Sequence, residues 1–554
     1  MSSGSDFRAL ADTLEKVKAT SKKNEKVAIV ASYISGLSPD DAEFAARVAT
    51  GRASKRGSRD EAQVGYSTLL SLLEEVCNVT ESEVSRIYLR HGDLGEVAEE
   101  VLSKKRETPL FEGPLTLGEV ARVFERVREA KGKGSLQVRK SAVKSLLLRA
   151  TPLEGKYLVK VFTGEMRTGL VSGLMEDSIA KAYSLPREEV AQAHMLTGDV
   201  GLLAAAAATG ELAKLKIDVF RPVNFMLAEP LSSPEEVVER FGKRVYAEYK
   251  YDGVRAQVHK KGSEVRVYSR RLEEVTEFFP EVIEIAGRLE HDAILDGEIV
   301  PFSGGRPLPF QLLQRRLRRI KDFEEAASQA PVVYFVFDLL YLDGDEVYRR
   351  PLSERSRLLN RAVEGTQMSR AERYTVSSAR ELGELFRKSR ELGYEGLVVK
   401  DPDSTYTMGK RGIEWAKLKE ELDTIDAVIV SAEYGHGKRV GVISDYTFAV
   451  RDGPELKTIG KAYSGLTDEE IEEMTATLKR ITTRDHGFWR EVRPEVVIEV
   501  AFDSIQKSER HDSGYALRFP RIKRVRGDKG LKDIDDLSKV EGIFKAQRVK
   551  LDER

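Results

Sequence analysis

The feature that most restricts this chain is a change of hydrophobic period near residue 220. Before it, apolar residues recur at spacings of three and four, as from Leu117 to Ala130 and from Ser141 to Leu148. Ser or Thr starts and Gly stops punctuate these stretches, the pattern of helices that bury one stripe. From Arg244 the chain breaks into short runs rich in Val, Tyr and Ile: RVYAEYKYDG, EVRVYSR, AILDGEIVPF, VVYFVFDLLYLDG, GYEGLVVKD and WAKLK. Runs of this kind, bounded by turn residues, read as strands. Helical and strand periods in separate blocks predict separate domains. The stretch from Pro222 to Pro230, which contains MLAEP, reads as a linker between them. Beyond Glu421 strand runs return in DAVIVSAEYG, DYTFAVRDG and PEVVIEVAFDSIQ, with one helical insert from Asp468 to Ile481. That block predicts a small barrel of about 130 residues. The expected division is 1–217 all-helical, 218–420 α+β, and 421–554 a β-barrel with a C-terminal helical tail.

At 554 residues the chain exceeds any single small binding module, since domains run to roughly 100–200 residues. Its 90 basic and 91 acidic side chains leave a net charge of −1, so no global positive field advertises nucleic acid. An anionic partner must be met locally, and two patches offer this: residues 101–150 carry 12 basic against 5 acidic side chains, and residues 518–529 carry 6 against one, Asp528. Cys77 is the sole cysteine, which excludes an internal disulfide and a four-thiolate zinc site and points to a reducing compartment. Charge interrupts MSSGSDFRALADTLEKVK before any leader-like apolar stretch, and the most apolar run, Val200 to Ala208, is far short of a membrane span. The expectation is a cytoplasmic protein with no membrane partner.

Neither a G-x-x-x-x-G-K-[ST] loop nor H-E-x-x-H occurs, so P-loop phosphate cradling and zincin chemistry have no support. Lys250, followed by Tyr251, Asp252 and Gly253, ends a predicted strand and stands over a turn. Taken alone this is as compatible with an exposed turn and a solvated lysine. What changes the reading is an ordered series of further motifs: SRRLEEVT from Ser269, LDGEIV from Leu295, FVFDLLY from Phe335, EGLVVK from Glu395, WAKLK from Trp415 and RFPRIKRVRGDK from Arg518.

This set resembles the ATP-dependent DNA ligases, within the lysine nucleotidyltransferases that also include RNA ligases and mRNA capping enzymes. The helical first part, including EGKYLVKVFTGEMRTGL from Glu154, resembles the DNA-binding domain of the archaeal and eukaryotic replicative ligases. The resemblance implies a helical DNA-binding domain, an adenylation domain and a C-terminal OB-fold barrel. It implies ATP and Mg2+, or Mn2+ in its place, as cofactors, nicked duplex DNA as partner, and a monomer. Lys250 takes the position of the adenylylated nucleophile. Glu248 takes that of the residue reading the adenine edge, Phe337 of the one stacking on the base, and Arg270 of the arginine meeting the nucleotide and later the 5′-phosphate of the nick. Arg411 resembles a further phosphate contact, Glu298 one to the ribose and a metal, and Glu395 a metal ligand, with Asp252 in support. An amine that attacks phosphorus must be neutral, and free lysine titrates near pKa 10.4. Arg255, Lys417 and Lys419 are the cations expected to lower that value and to neutralise phosphates. Arg526, Asp528 and Lys529 resemble an element closing over the β and γ phosphates.

The segment Lys105 to Thr116, KRETPLFEGPLT, resembles a sliding-clamp-binding peptide in degraded form, with Glu107 near the place of its glutamine and Leu110 and Phe111 in place of its aromatics. An RNA ligase or capping enzyme would share the K-x-D-G core without needing this helical first part. A non-catalytic scaffold would have no reason to keep Lys250, Glu298, Glu395, Lys417 and Lys419 together. The NAD-dependent ligases also carry K-x-D-G, but their four-cysteine zinc module cannot be built with one cysteine.

Overall fold

The computed structural model describes residues 5–52, 64–105, 113–130, 132, 134–242, 244–318, 327, 330–409, 411–419, 424–435, 439 and 441–552. They form two compact units, 1–419 and 420–554. Glu107, Leu110 and Phe111 lie outside the described residues.

The first part of the larger unit is a stack of helices whose ends follow from the sequence. Thr116 and Thr151 each cap a helix, Leu117–Glu129 and Pro152–Thr163, in a reciprocal capping box with Glu119 and Glu154. Gly155 brings the second of these against the helix Leu94–Leu102, because a Cβ there would lie 2.0 Å from Leu102 Cδ1. At that spacing Lys156 reaches Glu15, Glu96 and Glu99 at 2.9–3.0 Å, and Lys160 reaches Asp93 at 2.7 Å. The EGKYLVK stretch is therefore mostly interior, its lysines neutralised by acids from neighbouring helices. Phe7, Leu14, Phe124, Tyr157 and Phe162 fill the same core.

The rest of the unit carries two sheets. One has the order β1 (Leu227–Leu231), β11 (Arg411–Lys419), β10 (Gly396–Lys400), β2 (Val245–Tyr249), β9 (Arg373–Val376). The other runs β4 (Glu264–Ser269), β3 (Val254–Lys261), β5 (Ala293–Ser303), β7 (Val332–Leu342), β8 (Ser369–Arg370), with β6 (Arg306–Pro307) paired to β5. The expected linker from Pro222 to Pro230 is corrected here: Leu227–Leu231 is a strand paired in parallel with β11. Just before it, buried Gln257 and His259 of β3 hold the backbone of Val223 and Phe220 by hydrogen bonds of 2.6–3.0 Å. A free linker would have left those buried polar groups unpaired.

In the smaller unit, the long strand β12 (Ile425–Tyr434) pairs β17 (Val497–Ala501) along its first half and β16 (Trp489–Val492) along its second. It also pairs β13 (Ile443–Asp452), which pairs β14 (Glu455–Ala462). With β15 (Thr482–Asp485) and the strand Arg521–Val525 this is a seven-stranded sheet. Among the described residues its pairings do not close into a barrel. The helix Asp468–Arg480 packs Ile471 and Leu478 onto it, and the terminal helix Leu537–Asp552 adds Val540. Among the described residues no helix is long and apolar enough to cross a membrane.

Candidate active site

The turn Lys250 to Gly253 is where the chain leaves one sheet, at the end of β2, and enters the other, at the start of β3. A side chain at that point faces the space between the sheets. Gly253 permits the crossing: a Cβ there would sit 2.3 Å from the Ile299 carbonyl oxygen and 2.9 Å from Glu298 Cγ, so the backbone of β5 would have to move.

Period-two alternation sorts the five-stranded sheet into rows on one face. Arg373, Glu248, Val398 and Lys417 are cross-strand partners in one row, and Lys400 with Tyr246 and Trp415 form the row on one side of it. On the other side, the β2–β10 ladder continues past β2 through hydrogen bonds from Lys250 N to Gly396 O (2.8 Å) and from Glu395 N to Lys250 O (3.0 Å). Lys419 pairs Gly396 in that same row.

From the second sheet come Arg255, Glu298 and Phe337. β7 bulges against β5, where Asp296 pairs Asp338 and Gly297 pairs Val336, so Phe337 is the extra residue. Phe337 is half-buried and lines the cleft. The cleft between the sheets, about 250 Å3, is lined by Glu248, Lys250, Gly253, Arg255, Arg270, Glu298, Phe337, Lys400, Trp415 and Lys417 among others. Seven of the residues singled out in the sequence thus meet in one cavity. Glu395 joins them by direct contact between its carboxylate and Lys250 Nζ. Arg411 opens β11, and its side chain lies outside what the structure describes. Arg526 and Lys529, in the smaller unit, pair with Asp426 at 3.1 and 2.6 Å, and Arg526 also pairs with Asp528 at 2.7 Å.

The electrostatics correct one expectation. Burial pushes the Lys250 amine down, but the Glu395 carboxylate, with Glu298 and Asp252 behind it, outweighs burial, and the pKa ends above the ordinary lysine value. The net lowering expected from Arg255, Lys417 and Lys419 is not found, and the Arg255 guanidinium is itself paired. It makes a two-pronged pair with Asp296 at 3.1 and 2.7 Å and donates to Met226 O (2.7 Å) and Tyr406 Oη (3.3 Å). Glu298 is pushed up to about 8 by burial, against the pull of Lys250 and Arg255.

Four residues at the site were not singled out from the sequence. Asp296 anchors Arg255. Trp415 and Lys400 form one wall, with the Lys400 ammonium 4.2 Å from the centroids of both the Phe337 and Trp415 rings. Arg373 pairs with Glu248. Lys400 and Trp415 stand inside the quoted EGLVVK and WAKLK, so a signal existed for them. Arg373 lies in no motif.

Comparison with known proteins gives three family matches along the chain: "DNA ligase N terminus" over residues 6–180, "ATP dependent DNA ligase domain" over 225–419 and "ATP dependent DNA ligase C terminal region" over 439–529. The chain is 43% identical over 565 residues to a protein described as probable DNA ligase from Koribacter versatilis, covering 98% of this chain and 97% of that one. It is 35% identical to the DNA ligase of Thermococcus fumicolans (98% of each chain) and 37% identical to that of Methanopyrus kandleri (97% and 98%). The solved structure "Pmar-Lig_PreS3" matches 94% of this chain and 99% of its own at 18% identity and a TM-score of 0.58, a likeness of fold.

Proposed function

Because the chain belongs to the ATP-dependent DNA ligase family, we propose that it seals single-strand nicks in duplex DNA in three steps, with Lys250 as the residue that carries AMP. Lys250 Nζ attacks the α-phosphorus of ATP and pyrophosphate leaves. The AMP then passes to the 5′-phosphate of the nick, and the 3′-hydroxyl displaces it to form the phosphodiester bond. The observation that carries this reading is the convergence on one cleft of a half-buried lysine, an aromatic ring and four further cationic side chains, Arg255, Arg270, Lys400 and Lys417. An ammonium cannot attack phosphorus, so the proton that the Glu395 carboxylate holds on Lys250 has to leave before the attack. Lys417 and Arg270 face the same space and offset charge on the reacting phosphate. Arg255, tied to Asp296, holds the floor beneath Phe337 and Trp415.

Glu298 and Glu395 offer hard oxygen donors suited to Mg2+, which keeps several waters and needs one or two carboxylates. A carboxyl titrating near 8 is not fully ionised at neutral pH beside Lys250 and Arg255 alone, so a further cation fits there. When bound, the ion supplies positive charge to the phosphates. We assign 1–217 to DNA binding, 218–420 to adenylation and 421–554 to closure over the nucleotide phosphates through Arg526, Asp528 and Lys529. The segment from Lys105 to Thr116 is assigned to a sliding clamp, the enzyme acting as a monomer.

Incubation of the full chain with α-labelled ATP and Mg2+ tests the reading. Covalent label on the protein, absent in Lys250→Ala, is the expected result. Label retained in that variant, or none on the unsubstituted chain, overturns it.

A further inference from the structure

We propose that Arg373 is a positioning residue that decides which purine the cleft accepts, by holding the Glu248 carboxylate aimed. The inference rests on reading the Lys250 cleft as the ATP site, with Glu248 facing the base edge.

The register of β2 and β9 puts Arg373 directly opposite Glu248. Its Nε lies 2.7 Å and its Nη2 2.5 Å from Glu248 Oε1. Lys400 Nζ lies 2.6 Å from the other oxygen. The Glu248 side chain is 3% exposed, so its charge is balanced by these two cations, with little help from water. Arg373 does one thing more. Its Nη2 donates to the Phe337 carbonyl oxygen at 3.0 Å, and Phe337 belongs to the other sheet. One guanidinium therefore ties the carboxylate on β2 to the bulged residue on β7, fixing base edge and ring wall relative to each other. A lysine, with one point charge and no planar fork, cannot span both.

An ionised carboxylate accepts hydrogen bonds and donates none. Held so, Glu248 can satisfy a base only where the base donates, as the 6-amino group of adenine does. A purine with a 6-oxo group sets acceptor against acceptor and leaves both unsatisfied. With Arg373 removed, Lys400 alone restrains the carboxylate, which is then free to turn away from the base edge. Discrimination at position 6 should relax.

The experiment compares lysyl-nucleotide formation from ATP and from inosine triphosphate, which carries oxygen in place of the 6-amino group, using the full chain, Arg373→Gln and Arg373→Lys. In Arg373→Gln the ratio of kcat/KM for ATP to that for inosine triphosphate is expected to fall about tenfold, with Arg373→Lys in between. Equal losses on both nucleotides, leaving the ratio unchanged in a variant that melts like the unsubstituted protein, would show a merely structural role and overturn the proposal. Should Arg373→Gln fail to fold, the ratio in Arg373→Lys decides: a value equal to that of the unsubstituted chain overturns it. Failure of the underlying reading looks different, because the unsubstituted chain would then take no covalent nucleotide from either.

Discussion

Removing the Asp338 charge should destabilise the two-sheet part of the chain more than any change at its surface. Asp338 on β7 and Arg355 on the helix Leu352–Ala362 are both 0% exposed and form a two-pronged pair, Nε to Oδ1 at 2.7 Å and Nη2 to Oδ2 at 2.8 Å. The remaining nitrogen of the same guanidinium donates to Arg350 O (2.6 Å) and Ser404 O (2.8 Å), so one side chain joins a strand, a helix and the segment leading to β11. Asp338→Asn leaves that cation buried without its counter-charge, and breaking such a pair costs about 3–5 kcal/mol. At roughly 1 °C per kcal/mol for a compact unit of this size, the calorimetric transition should fall by roughly 3–5 °C. Replacing both partners, Asp338→Leu with Arg355→Met, should cost less than either single change. The pH dependence has a definite sign. Burial alone would raise the Asp338 pKa, but the Arg355 pair outweighs it and holds the value below the ordinary one. The contribution is therefore complete above the unfolded value, about 4, and is lost as pH falls through the folded value. The gap between the unsubstituted chain and Asp338→Asn should hold from pH 8 to about 4 and close below. A variant melting within about 1 °C of the unsubstituted chain at pH 7 would refute the view that this pair anchors β7.

Lys250→Ala should lose covalent AMP yet still seal a nick supplied already adenylylated, because only the first step needs the amine; loss of both activities would mean that the lysine serves the later steps as well. Gly253→Ala should cut adenylylation and lower stability by about 1–3 kcal/mol, since its Cβ meets the Ile299 carbonyl at 2.3 Å; unchanged melting and activity would show that β5 yields. Exposed Arg122 and Arg126 lie in the basic stretch 101–150. Their joint change to Glu should weaken nick binding, reduce its salt slope by about 2, at roughly 0.9 per lost phosphate contact, and leave adenylylation intact. Equal salt slopes for variant and parent would take that helix out of the interface.

Local pattern alone determined much of this protein. The change of period near residue 220 separates helices from sheets, because side-chain periodicity belongs to each element and needs no partner. The same rule puts Glu248 and Lys250 on one face, and Lys417 and Lys419 on one face, before any strand has found its neighbour. That the strand ending in Lys250 is followed by a tight turn could likewise be read from Asp252 and Gly253. Tertiary structure decided whatever depends on residues distant in the chain. The sign of the Lys250 shift is set by Glu395, 145 residues away, whose carboxylate outweighs both burial and the cations that the sequence placed nearby. The unpaired place of Phe337 in the ladder is defined only by the pairing of β7 with β5. Leu227–Leu231 became a strand because β11 offered it an edge. Arg373 acquired its place only when β9 came to lie beside β2, 125 residues from the glutamate it holds. Contacts of such separation leave no periodic trace in either partner, because each residue type suits many surroundings until the other arrives.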